Sequence, residues 1–228
     1  MAAVSLPFSL GEATFSTLPV SPSGIRTRIP GHVERVGVFG GTFDPIHSGH
    51  LISAQAALEE LNLDRVLFVP AAISPHKTDV PPIVSAKDRV EMMRLAIEGE
   101  PRFSIDDREL LREGPSYTID TMRSLLGDYP GVRFIYLIGA DNVRQLATWH
   151  DISELKNLVD FAVFTRSKGE VVPEEEFLLV HRIIDISSTE IRERLAKGKS
   201  VRYFLPSAVY DYIMSFALYQ SHSPDAQA

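Results

Sequence analysis

The chain has 228 residues, 44% of them hydrophobic and 23% charged, a composition that suits one globular domain with its own core. Cys is absent, which excludes disulfides, thiolate metal sites and cysteine nucleophiles and makes a reducing compartment, the cytoplasm, the expected location. No apolar run approaches the roughly 20 residues of a membrane span, and a formal net charge of -7 argues against a broadly basic nucleic-acid surface.

Residues 1–34 read as an N-terminal extension. The first thirty carry only Glu12, Arg26 and Arg28 as charges, are rich in Ser, Thr, Pro and Gly, and show no strong period. Few acids and many serines are also transit-like, but no amphipathic Arg-rich helix accompanies them. The predicted domain runs over 35–219, and 220–228 reads as a polar tail.

Arg35 to Phe39 is a short apolar run stopped by Gly40-Gly41, the pattern of a buried strand. Ser48 to Leu61 has helical spacing, and Arg65 to Val69 is a second buried strand ended by Pro70. Strand, helix and strand within so few residues predict a βαβ unit with parallel strands. Helices are expected over Ser85 to Glu98, with Ser85 and Asp88 arranged as a capping box, and over Ser116 to Leu126 with Ser116 as cap. Val132 to Ile138 and Phe161 to Thr165 are further strands, and Phe177 to Val180 and Arg182 to Ile186 add short ones. Helices over Ser188 to Ala196 and Pro206 to Tyr219 close the chain. The alternation predicts an α/β protein, a Rossmann-like open parallel sheet with helices on both faces, whose ligands bind beyond the carboxyl ends of the strands.

The chemistry-bearing residues sit at those ends. After the first strand comes Gly40-Gly41-Thr42-Phe43-Asp44-Pro45-Ile46-His47-Ser48-Gly49-His50. Two glycines allow a tight turn and close approach to a ligand, and the helix that follows offers its N-terminus to an anion, above all phosphate. His47 and His50, three apart, can both face that anion, as imidazolium or as neutral N–H donors. Two such histidines also suit a metal, but no Cys, H-E-x-x-H or clustered carboxylate completes a site, so no metal ligands are assigned. Gly198-Lys199-Ser200 resembles the end of a Walker A loop, but Glu193 stands where the upstream glycine is required. Ser74-Pro75-His76-Lys77 has S-x-x-K spacing without its companion motifs.

The stretch from Gly40 to His50 resembles the H-x-G-H signature of the nucleotidylyltransferase superfamily. Four later segments are similar to those of the bacterial nicotinate-mononucleotide adenylyltransferase family: Pro75-His76-Lys77; Gly114 to Thr121, with Ser116-Tyr117-Thr118; Ile138-Gly139-Ala140-Asp141-Asn142 followed by Trp149, the one Trp; and Ile186-Ser187-Ser188-Thr189-Glu190-Ile191-Arg192, the second superfamily signature. The chain departs from the family pattern at His150, where many relatives carry another aromatic, and at Arg166-Ser167-Lys168-Gly169, where Arg-Pro-Gly is common.

The resemblance, over roughly 35–219, implies an enzyme that moves AMP from ATP to nicotinate mononucleotide, releasing nicotinate adenine dinucleotide and pyrophosphate, with ATP bringing its own Mg²⁺. By resemblance Gly40, Gly41, Thr42, Phe43, His50, Gly139, Asp141, Ser188 and Arg192 bind ATP. Lys77, Tyr117, Thr118, Asp141 and Trp149 bind the acceptor, and His47, His50, Lys77 and Arg192 carry catalysis. The expected partners are these small molecules, with no nucleic acid or membrane; oligomeric state is not legible. Rival readings are the same transfer to nicotinamide mononucleotide or phosphopantetheine, a cytidylyltransferase, and a nucleotide-sensing module without turnover.

Overall fold

The computed structural model describes residues 32–75, 81–165, 176–182 and 184–220. The expected extension (apart from its last three residues) and the tail from Ser221 lie outside them, as do Lys77 and Arg166. Six strands, β1 (Arg35–Gly41), β2 (Arg65–Pro70), β3 (Phe103–Ile105), β4 (Arg133–Gly139), β5 (Asp160–Phe164) and β6 (Leu178–Val180), form one sheet in the order 3-2-1-4-5-6. Every pairing is parallel. The chain steps outward from β1 to β3 and then returns to lay β4 on the other side of β1. The strand order therefore reverses between β1 and β4, and neighbouring connections leave a crevice there.

Strand alternation divides the core into two layers. Phe68, Ile135, Leu137, Ala162 and Phe164 face one side with α1 (Ser48–Glu60), α2 (Ala86–Ile97), α6 (Ser188–Ala196) and α7 (Ser207–Ser215). Val36, Val38, Phe134, Tyr136, Ile138 and Val163 face the other with α3 (Thr118–Asp128) and α5 (Ile152–Leu158). The helices on both faces match the expected class. A four-residue helix, α4 (Ala140–Val143), follows β4 directly. No helix among the described residues is long and apolar enough to cross a membrane.

Ser85 caps α2 as its sequence promised, its Oγ accepting the Asp88 N–H at 3.1 Å. Ser116 does not cap α3. Its hydroxyl oxygen accepts the Ala72 N–H at 3.0 Å and its own N–H goes to the Ile73 carbonyl, so the residue straps the segment before α3 to the loop after β2, and Tyr117 takes the cap position. The described residues of 182–186 form no strand; the Arg182 N–H turns back to the Val180 carbonyl. The last helix stops at Ser215 rather than Tyr219, because Ala217 and Tyr219 adopt positive φ and Tyr219 leaves the helix for a tertiary partner described below.

Candidate active site

An open cavity of about 710 Å³ lies over the carboxyl ends of β1 and β4, within the size range of small-ligand sites. Its walls come from the Gly40–His50 turn, the Gly139–Asp141 corner and the start of α6. Every residue expected to bind ATP lines it: Gly40, Gly41, Thr42, Phe43 and His50 on one side, Gly139 and Asp141 at the β4 corner, Ser188 and Arg192 opposite. His47 lines it too.

The two histidines are not parallel donors side by side; they are stacked, with ring centroids 3.7 Å apart and planes 24° from parallel. His47 is the N-cap of α1 and its N–H donates to His50 Nδ1 at 3.2 Å. A neutral His50 whose Nδ1 accepts carries its proton on Nε2. Burial lowers the His47 pKa to about 4, and burial together with His47 holds His50 well below the usual histidine value. Both rings are therefore neutral near pH 7, and they act as N–H donors rather than as imidazolium ions. The glycine between them lets the His47 ring lie close against the helix. A Cβ at Gly49 would stand 3.0 Å from His47 Nδ1 and 3.6 Å from the Ile186 Cβ.

The helix end contributes less than its sequence suggested. The His47 N–H is spent on His50, and the Ser48 N–H on the Phe204 carbonyl at 2.9 Å. What α1 presents to the cavity is chiefly imidazole, not a row of free backbone donors.

The two signature segments, some 140 residues apart in the chain, meet directly. Arg192 donates through Nη1 to the Asp44 carbonyl at 2.7 Å and through Nη2 to Thr189 Oγ1 at 3.2 Å, while Ser188 Oγ donates to the Pro45 carbonyl at 2.9 Å. Ser187, not Ser188, caps α6, accepting the Glu190 N–H at 3.1 Å. Arg192 is thus aimed by the loop it serves and keeps donors free for an anion.

Three supporting residues carried no role in the sequence reading. Arg89 of α2 is buried and its Nη1 donates to the carbonyls of Thr42 (2.7 Å) and Ala71 (2.9 Å), pinning the turn after β1 to the end of β2. Its signal was present: Arg89, Met92, Met93 and Ala96 share the helical phase of the buried face, so a charge stands at a core position. Asp44 is buried and accepts from the Ile83 N–H at 2.8 Å and from the Tyr219 hydroxyl at 2.7 Å. Burial and the Asp44 carboxylate push the Tyr219 phenol up, so it stays a donor. Partners so distant in sequence leave no local pattern to read.

Of the residues expected to hold the acceptor, Asp141 lines the cavity, whereas three others lie elsewhere. Tyr117, Thr118 and Trp149 do not line the cavity; Thr118 and Trp149 meet Tyr136 on the α3 face of the sheet, where Tyr117 packs against the same core layer. Thr118 Oγ1 is 3.4 Å from the Tyr136 hydroxyl, and the Trp149 ring meets Tyr136 edge-on at 5.8 Å. Tyr117 packs on His150 at 4.6 Å. Lys77 lies outside the described residues. No group of three or more His, Asp or Glu among the described residues could hold a metal.

A parallel sheet with a histidine pair and an arginine-bearing helix at its switch point is the architecture of a nucleotidyltransferase, and the family model described as Cytidylyltransferase-like matches residues 38–194. The protein of Shouchella clausii named "Probable nicotinate-nucleotide adenylyltransferase" is 47% identical over 188 residues, covering 82% of this chain and 97% of that one. A protein of the same name from Thermus thermophilus is 44% identical over 189 residues, covering 82% and 100%. The chain belongs to the nicotinate-nucleotide adenylyltransferase family. Its fold is also that of the Plasmodium falciparum nicotinic acid mononucleotide adenylyltransferase complexed with NaAD, with a TM-score of 0.66 at 20% identity over 82% of this chain and 97% of that one.

Proposed function

We propose that this chain transfers the AMP moiety of ATP to nicotinate mononucleotide, giving nicotinate adenine dinucleotide and pyrophosphate, a step of NAD biosynthesis. The observation that carries the reading is the meeting of the two signature segments at one cavity, where Arg192 bonds the Asp44 carbonyl beside the stacked His47–His50 pair. Family membership supports the choice of acceptor.

ATP lies across the Gly40–His50 turn and the start of α6. The glycines let its phosphates approach the backbone, and Arg192 holds the phosphates that leave. Mg²⁺ enters on the nucleotide as part of the substrate. The 5′-phosphate of the mononucleotide attacks the α-phosphorus in line, the bond to the bridging oxygen breaks, and pyrophosphate departs with its electron pair. No protein atom becomes covalently attached, so catalysis is positioning plus stabilisation of charge as it spreads over the transferring group. The Nε2–H of His50 is a neutral donor fixed in direction by the Nδ1 bond behind it, and needs no reorganisation as charge develops. Tyr117, Thr118 and Trp149 hold the acceptor, with Lys77 supplying a positive charge to its phosphate or to the leaving group. Asp141 orients a ribose. The absence of Cys is in keeping with work in the cytoplasm.

The test is pyrophosphate release from Mg·ATP with nicotinate mononucleotide and nicotinamide mononucleotide supplied in parallel. A strong excess with the acid is expected. Equal rates would make the chain a dual-specificity adenylyltransferase, and silence with both would overturn the reading.

A further inference from the structure

Tyr136 belongs to none of the signatures, yet its side chain touches residues of both proposed half-sites, Gly40 and Thr118. It stands in β4 opposite Val38 of β1, on the α3 face, and is 7% exposed. Strand side chains lean along the strand, and here the phenol reaches two residues past its β1 partner. Its hydroxyl lies so close over Gly40 that a Cβ there would be within hard contact, and the ring carbon bearing the hydroxyl would be 3.2 Å from that atom. On its other side the same hydroxyl meets Thr118 Oγ1 at 3.4 Å. Trp149 and Phe161 hold the ring edge-on at 5.8 and 6.0 Å, so it has little freedom to swing. Beneath it, Glu109 is buried and accepts from Thr121 Oγ1 at 2.6 Å, fixing the first turn of α3. Burial and the Glu109 charge push the Tyr136 phenol up, so it stays protonated at any working pH.

We propose that Tyr136 is a positioning residue for the acceptor: its hydroxyl, wedged between Gly40 and Thr118, sets the spacing between the ATP turn and the acceptor segment. This rests on the adenylyl transfer proposed above. Gly40 is then glycine for two reasons, to admit the ATP phosphates and to seat this hydroxyl. The spacing matters because in-line attack needs the two phosphates within near-contact distance, and a small misplacement is expensive. Among the described residues Thr118 bonds the hydroxyl, whereas Gly40 is held independently by its ladder to β2. Loss of the hydroxyl should therefore loosen the acceptor side more than the ATP side.

The experiment compares wild type with Tyr136→Phe, which keeps the ring and its packing. Binding of nicotinate mononucleotide and of Mg·ATP is measured separately by calorimetry, together with KM, kcat and melting temperature. The expected result is an acceptor Kd and KM raised about three- to tenfold, the scale of one neutral hydrogen bond, with ATP constants within about twofold and melting temperature unchanged. A second cycle keeps the test sharp if packing shifts. Gly40→Ala clashes with the hydroxyl in wild type, whereas in Tyr136→Phe the methyl meets only the ring carbon at 3.2 Å, so its cost to acceptor binding should be smaller in the Phe background. Wild type that binds and turns over the acceptor, with Tyr136→Phe unchanged, or with acceptor and ATP constants moved equally, overturns the inference alone, as does strict additivity with Gly40→Ala. Wild type that neither binds nor uses the acceptor overturns the adenylyl-transfer reading, and the inference with it.

Discussion

His50 shows how a single side chain acquires a chemical direction. Its Nδ1 is occupied by the His47 N–H, so its remaining N–H has one orientation and one protonation state near pH 7. Removing a preorganised donor to a developing anion typically costs roughly 10²-fold in kcat, so His50→Ala should lose about that much while its circular dichroism and melting curve stay near wild type. Wild-type turnover in the folded variant would remove His50 from catalysis. Gly49→Ala should also be damaging, for a different reason. Its methyl would meet His47 Nδ1 at 3.0 Å and Cε1 at 3.1 Å, so the His47 ring must give by a few tenths of an ångström; kcat should fall about tenfold through lost alignment, and a crystal structure of the variant should show the His47 ring displaced. Arg89 sits one layer behind. Arg89→Met would leave the Thr42 and Ala71 carbonyls without their buried donor, a loss of about 3 kcal/mol in urea unfolding. Both histidines were legible in the linear motif, because they are neighbours on one turn of chain. Arg89 and Asp44 act through bonds spanning 18 to 175 residues, and no window of sequence contains both partners.

Among the elements, α6 is the clearest case of a helix placed for its end rather than its face. Ser187 caps it, Ser188 ties its first residue to Pro45, and Arg192 one turn on returns to Asp44. Ser187→Ala should cost about 1 kcal/mol of stability and raise the KM for ATP, because Ser188 and Arg192 depend on the same first turn; steady-state kinetics and thermal melting check the two effects separately. Capping serines illustrate the reach and the limit of local reasoning. Ser85 is exposed and its Oγ caps the helix as written, while the Asp88 carboxylate accepts from the Ser85 hydroxyl at 2.6 Å rather than completing the box. Ser116 is buried beside the Ala72 N–H, and that tertiary donor takes the hydroxyl. β3 escaped notice because three half-buried residues carry no measurable period, and its pairing with β2 is what makes it a strand.

For the whole molecule, the buried histidines tie stability to pH. The unfolded chain accepts a proton on His47 near pH 6.5, whereas the folded chain resists it until about pH 4. Stability from this residue is therefore complete above pH 6.5, drains as pH falls below that value and is fully lost below about 4. A depression of this size corresponds to about 3 kcal/mol. Urea unfolding at pH 7 and pH 4.5 should show wild type losing more stability than His47→Asn by most of that amount; parallel losses would mean His47 is not buried as described. What the sequence determined by itself was the local and periodic content: strands ending in glycine, helices of known phase, two signature segments and hence the parallel α/β class. Those depend on neighbours within a turn or a strand. Only the tertiary structure decided which groups meet. The reversal of strand order between β1 and β4 opens the cavity, burial keeps the stacked His47 and His50 neutral, and the docking of α6 on Asp44 and Pro45 joins the two motifs. It also separated Tyr117, Thr118 and Trp149 from the cavity over β1 and set them on the α3 layer, Thr118 and Trp149 against Tyr136, because alternate residues of a strand face opposite sides of the sheet and a motif read along the chain does not say which side its partners occupy.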